Sequence, residues 1–159
     1  MRVLIATDGS PAALTAAASA GELLGPGTEW IVVSVVRPQE EPMADATGFA
    51  GPVLTPEQIE HEHAADVVAA HAALAATARE LGPVPATQVV VTGVDTADTI
   101  VRAAHEHDVD LVVVGHSTDE GLTGLLRREV APQLVTAAGR PVLVIPVSVD
   151  VESTAGAVA

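Results

Sequence analysis

The chain contains no cysteine, no lysine and no tyrosine, and only one tryptophan and one phenylalanine among 159 residues. Without cysteine there is no disulfide, no thiol nucleophile and no thiolate metal site. Lysine's absence removes Schiff-base chemistry and the lysine of a G-x4-G-K-[S/T] phosphate loop. With so few rings, a core has to be assembled from Val, Leu, Ile and Ala, the main part of the 48% of residues that are hydrophobic. No apolar run approaches the roughly 20 residues of a membrane span, and Met1-Arg2-Val3-Leu4-Ile5 leads into a strand pattern rather than a signal peptide. No membrane partner is expected, and a cytoplasmic location is.

Positive charge is scarce too. The seven basic residues are Arg2, Arg37, Arg79, Arg102, Arg127, Arg128 and Arg140, against 21 acidic ones, a net charge of −14. Phosphodiester backbones are gripped largely by Lys and Arg, so direct nucleic-acid binding is not expected.

What is present is an alternation. Five short β-branched runs (Val3 to Thr7, Trp30 to Val36, Thr87 to Thr92, Leu111 to Gly115, Val142 to Ile145) are separated by longer Ala-rich stretches. This is the βαβα pattern of a parallel sheet covered on both faces, and the unbroken apolarity of the runs predicts burial on both sides. Helices are expected from Pro11 to Leu24 after Ser10, from a Thr55-Pro56-Glu57-Gln58 opening to Leu81, from about Ala97 to His107 behind Asp95 or Thr96, and over roughly Leu122 to Ala138. Pro132 should kink the last one or remove a backbone bond. The length suits one domain, assigned to residues 1–147, followed by a tail, 148–159. A long Pro/Gly-containing loop between Arg37 and Thr55 reads as a lid or an insertion.

Three segments carry a resemblance: Val3-Leu4-Ile5-Ala6-Thr7-Asp8-Gly9-Ser10, then Leu111-Val112-Val113-Val114-Gly115-His116-Ser117 with the residues to Val130, and Arg140-Pro141-Val142-Leu143-Val144-Ile145-Pro146. Together they resemble the universal stress protein family over about Arg2 to Pro146. The resemblance implies a Rossmann-like α/β fold: a five-stranded parallel sheet of order 3-2-1-4-5 with helices on both faces. Nucleotide-binding members carry a G-x2-G-x9-G-[S/T] loop after the fourth strand. Here Gly115 matches its first position, while Thr118, Arg128 and Glu129 replace the second glycine, the third glycine and the hydroxyl residue. Lost glycines take away close backbone approach to a phosphate, and Glu129 sets a carboxylate where a triphosphate would sit.

The same matching places Ala6 and Val35 at the adenine pocket, and Val114, Gly115 and Val130 where backbone meets ribose and phosphates. Asp8, ending the first strand beside the switch point of the sheet, matches a carboxylate that contacts the nucleoside. The other reading of Asp8 is a cap, since Asp8 or Ser10 can accept helix N–H bonds. Arg127 and Arg128 could partly replace lost phosphate donors, or lie on a charge-balanced helix face with Asp119, Glu120 and Glu129.

Metal and catalytic chemistry find little to work with. In Glu60-His61-Glu62-His63 and His105-Glu106-His107 the histidines are two apart, about 200° on a helix, so neither pair can chelate one ion. There is no H-E-x-x-H and no G-x-S-x-G. A phosphorylatable receiver domain is excluded by the missing lysine. The expectation is a non-enzymatic stress-response or regulatory module with weak or no ATP binding and no required cofactor; the alternative is an adenine-nucleotide-binding sensor or weak ATPase that holds ATP or AMP. The resemblance implies a homodimer through the fifth strand, and the alternating Val147-Ser148-Val149-Asp150-Val151 extends that surface. An unidentified protein partner is expected alongside the second copy.

Overall fold

A computed structural model describes residues 1–38, 55–117 and 130–147. Most of the loop between Arg37 and Thr55, the segment containing Thr118, Arg128 and Glu129, and the tail after Val147 lie outside the described residues. Five strands, β1 (Arg2–Ala6), β2 (Glu29–Val36), β3 (Ala86–Thr92), β4 (Leu111–Ser117) and β5 (Val142–Val147), alternate with α1 (Pro11–Leu24), α2 (Pro56–Glu80), α3 (Thr96–Glu106) and α4 (Val130–Ala137). The sheet is parallel throughout, in the order β3-β2-β1-β4-β5.

Local chemistry sets the helix starts. Ser10 caps α1 by accepting from the Ala13 N–H at 3.2 Å, with Pro11 in the first turn. Thr55 and Gln58 form a reciprocal capping box on α2, and Asp95 caps α3 by accepting from the Asp98 N–H at 2.9 Å. Pro132 lies in α4, whose residues before Val130 fall outside the described ones, as does the start of the helix expected from Leu122.

Strand alternation sorts the side chains into two layers. Val3, Ile5, Trp30, Val32 and Val113 pack with Ala17, Ala20, Leu74 and Leu81 of the α1/α2 side. Leu4, Ala6, Ile31, Val33, Val35, Val112 and Val114 pack with Ile100, Ala103, Val130 and Leu134 of the α3/α4 side. Burial on both faces holds for β1, β2 and most of β4. It does not hold for β3 and β5, which are partly exposed because each has a strand on one side only. The lower end of the sheet is tied by charge: the Arg2 N–H donates to Asp110 at 2.7 Å, and Arg2 Nε pairs with Glu29 at 3.1 Å.

Candidate functional site

At the carboxyl end of β1 the chain turns sharply into α1. Asp8 Oδ1 accepts from the Ser10 N–H at 3.0 Å, and Thr7 Oγ1 accepts from the Gly9 N–H at 3.1 Å. Thr7 Oγ1 also meets Thr77 Oγ1 of α2 at 2.8 Å, a buried hydroxyl pair that fixes the turn against that helix. Ser10, not Asp8, is therefore the helix cap. Asp8 braces the turn with one oxygen and remains half-buried beside a cavity.

That cavity, of ≈ 210 Å³, lies between β2 and α2 and is lined by Asp8, Ser34, Val35, Val36, Arg37, Asp66, Ala69 and Ala70. Its walls are mainly aliphatic, with two carboxylates, one guanidinium and one hydroxyl among them. Neither Arg37 nor Asp66 has an ion pair among the described residues. Such a volume is below the roughly 300–1,000 Å³ of most small-molecule pockets, enough for a ring system but not for a nucleoside triphosphate.

The other candidate residues separate. Val35 joins Asp8 at the cavity. Ala6, Val114 and Val130 are buried in the α3/α4 layer together with Val35. Gly115 has a packing role: a Cβ there would stand 2.9 Å from Ala16 Cβ and 3.3 Å from the Ala12 carbonyl, so α1 lies directly on β4 at this point. Thr118, Arg128 and Glu129, which bear on the phosphate loop, fall outside the described residues. Among the described residues no three His, Asp or Glu side chains are grouped so as to hold a metal ion.

Six lining residues escape sequence reasoning, three of them polar: Ser34, Arg37 and Asp66. Ser34 leaves a signal, being the one polar residue in Ile31 to Val36. Asp66 leaves a fainter one: exposed itself, it stands one helical turn before Ala70, where the buried residues of α2 begin.

The family description "Universal stress protein family" matches residues 1–146. The chain belongs to the universal stress protein family. No match was found among curated proteins. Among solved structures, a universal stress protein family member from Burkholderia pseudomallei is 26% identical with a TM-score of 0.63, over 92% of this chain and 96% of that one. One from Lactobacillus plantarum is 21% identical, TM-score 0.65, over 91% and 97%. One from Arabidopsis thaliana, solved with AMP bound, is 18% identical, TM-score 0.62, over 94% of each chain. Like the family fold, this universal stress protein places the ends of β1 and β4 at the switch point of the sheet. Its described cavity sits to the β2 side of that point, under α2. No helix among the described residues is long and apolar enough to cross a membrane.

Proposed function

We propose that this protein is a non-enzymatic regulatory module of the stress-response type, a cytoplasmic homodimer whose cleft keeps a nucleoside-sized subsite but has lost its grip on triphosphates. The observation that carries this reading is the cavity at Asp8: small, aliphatic and bearing two carboxylates against one guanidinium. Such a lining suits a neutral ring and opposes a polyanion, in agreement with the substitutions at Thr118, Arg128 and Glu129. That an Arabidopsis relative of the same fold was solved with AMP makes adenine compounds the ligands to offer. The same relative keeps the second reading, an ATP or AMP sensor, worth testing.

Calorimetric titration with ATP, AMP and cyclic AMP, each with and without Mg²⁺, decides between them. ATP should bind with a dissociation constant far weaker than about 1 μM, which corresponds to about −8 kcal/mol; binding at or below that value would establish the nucleotide sensor instead. Changing Thr118, Arg128 and Glu129 to Gly, Gly and Ser should strengthen ATP binding. Asp8→Ala should remove residual nucleoside affinity while lowering stability by about 0.5–1.5 kcal/mol through the lost bond to the Ser10 N–H.

The dimer reading is supported by the β5 edge. Val142, Leu143, Val144 and Ile145 are all partly exposed there, and uncovered apolar edges are normally paired or blocked. Antiparallel pairing with a second copy about a two-fold axis covers the edge. Val147 is buried and packs on Ala12 and Ala16, so a truncation that tests the tail must keep it. Sedimentation should give twice the 16.1 kDa chain mass, and removing residues 148–159 should weaken the dimer. A wild-type monomer would refute the interface.

A further inference from the structure

One face of α2 packs on the sheet and the opposite face is bare. Ala70, Ala73, Leu74 and Thr77 are its buried residues, whereas Val68 on the other side is 68% exposed. With 3.6 residues per turn, Glu57, His61, Ala64, Ala72, Ala75 and Arg79 all lie within about 40° of Val68 around the helix. All of these are exposed except Ala75, which is half-buried. The row is symmetric about Val68: Ala64 and Ala72 lie about one turn to either side of it, His61 and Ala75 about two, Glu57 and Arg79 about three. Neither Glu57 nor Arg79 has an ion pair among the described residues. We propose that this face of α2 is a second interaction surface, on which α2 of another copy of this chain packs antiparallel about a two-fold axis through Val68. The inference goes beyond the function proposed above and stands apart from the β5 edge, since α2 lies over β2 and β3 while β5 is the far edge of the sheet.

The choice of a second copy follows from what the row presents. In a two-fold contact the axis sets each residue against the one equally far on its other side. Val68 then meets Val68, Ala64 meets Ala72, His61 meets Ala75, and Glu57 at one end meets Arg79 at the other, twice in each pair. Short side chains along the middle let the helices approach to the roughly 8–10 Å of ordinary helix packing. Glu60 and Glu80 fall opposite Ala76 and Pro56, so no carboxylate is set against a carboxylate. That matters in a chain of net charge −14, where an arbitrary contact between copies is repulsive. A recess lined by Thr55, Glu57, Gln58, His61 and Glu62 opens at the N-terminal end of the row and gives the other copy's Arg79 room to enter. Arg79 Nε donates to the Ala75 carbonyl at 3.2 Å, which leaves both terminal nitrogens for the carboxylate. Ion pairs at a surface add little affinity but fix register and direction. The apolar contact is one valine among methyl groups, so the association is weak and adds to β5 pairing only as concentration rises.

Sedimentation equilibrium of the intact chain from micromolar to millimolar concentration tests this. The wild-type mass should rise with concentration beyond its dilute value. Glu57→Arg and Arg79→Glu, each alone, set like charges against each other at both ends of the row and should weaken the association by at least about tenfold. Mixed in equal amounts, the two variants bring opposite charges together at both ends again, and the rise should return. The double variant Glu57→Arg/Arg79→Glu keeps the net charge of −14 and should associate as the wild type does. Val68→Asp should abolish the association with little change in melting temperature, because the side chain it replaces is exposed. The charge variants decide the matter even where Val68→Asp proves unstable. A wild-type mass that stays flat to millimolar concentration would overturn the proposal. So would charge variants that do not recover on mixing, and so would a rise that every one of these variants leaves in place, which would belong to β5 instead.

Discussion

Gly9→Val should lower the unfolding free energy by about 2–5 kcal/mol, from left-handed backbone strain of about 1–2 and overpacking of about 1–3. Gly9 has φ +74°, and a Cβ there would lie 2.8 Å from Ala73 Cβ and 3.1 Å from Ala73 Cα. The obstacle is helix backbone and its first side-chain carbon, so no flexible tip can swing aside. To accommodate the valine, α2 must retreat from the β1–α1 turn, pulling on the Thr7–Thr77 hydroxyl pair and on the wall formed by Asp66, Ala69 and Ala70. Ligand affinity should fall along with stability. Urea unfolding followed by circular dichroism gives the number, and Gly9→Ala should show a smaller part of the same loss. Adding Ala73→Gly to Gly9→Ala should recover the packing share but not the backbone share, although glycine inside α2 itself costs about 1 kcal/mol. A loss below about 1 kcal/mol for Gly9→Val would mean that the turn adapts and is not fixed by α2.

The features legible in the sequence were those set by neighbours along the chain. Ser10-Pro11, Thr55-Pro56-Glu57-Gln58 and Asp95 announce helix starts through local hydrogen bonding, and each helix begins where its cap places it. Strand ends are decided across the sheet, and there the reading falls short. β1 and β2 each begin one residue earlier than their apolar runs because Arg2 pairs with Glu29 across the register. β4 runs on through His116 and Ser117, which look like a turn after Gly115, because Pro146 and Val147 of β5 remain in register beside them. The partial exposure of β3 and β5 is a property of strand order, which composition does not encode.

The site divides along the same line. Asp8 and Val35 could be found by matching short motifs, and both lie at the cavity. Gly115 is legible in the same way, but its close contact is with Ala12 and Ala16 of α1, a packing demand that a motif match cannot tell from a ligand's. Ser34 and Asp66 are brought together only when α2 returns across β2 after the long connection from Arg37 to Thr55. No local pattern records that meeting.

Trp30→Ala should cost about 3–5 kcal/mol, and the upper end is the expected value. Trp30 is 1% exposed and the largest fully buried side chain described, standing at the start of β2 between Val3 of β1 and Ala86 of β3. The cost of a deleted ring depends on how far its surroundings collapse into the space. Here the layer around it includes Ala17 and Ala20 of α1, whose side chains end at Cβ and cannot extend into a void. Val3, Ile5 and Val32 are held on strands paired on both sides and have little freedom to follow. In a chain with so few aromatic rings, one indole fills space that several smaller residues share elsewhere. Against a total stability of about 5–15 kcal/mol for a domain of ordinary size, the loss takes a third or more of the margin. Unfolding must be followed by circular dichroism, since the substitution removes the only tryptophan fluorophore. Trp30→Phe should retain much of the packing and lose clearly less. If Trp30→Ala lost under about 1.5 kcal/mol, the α1/α2 layer would have to be loose enough to close over the hole, contrary to its alanine-lined packing.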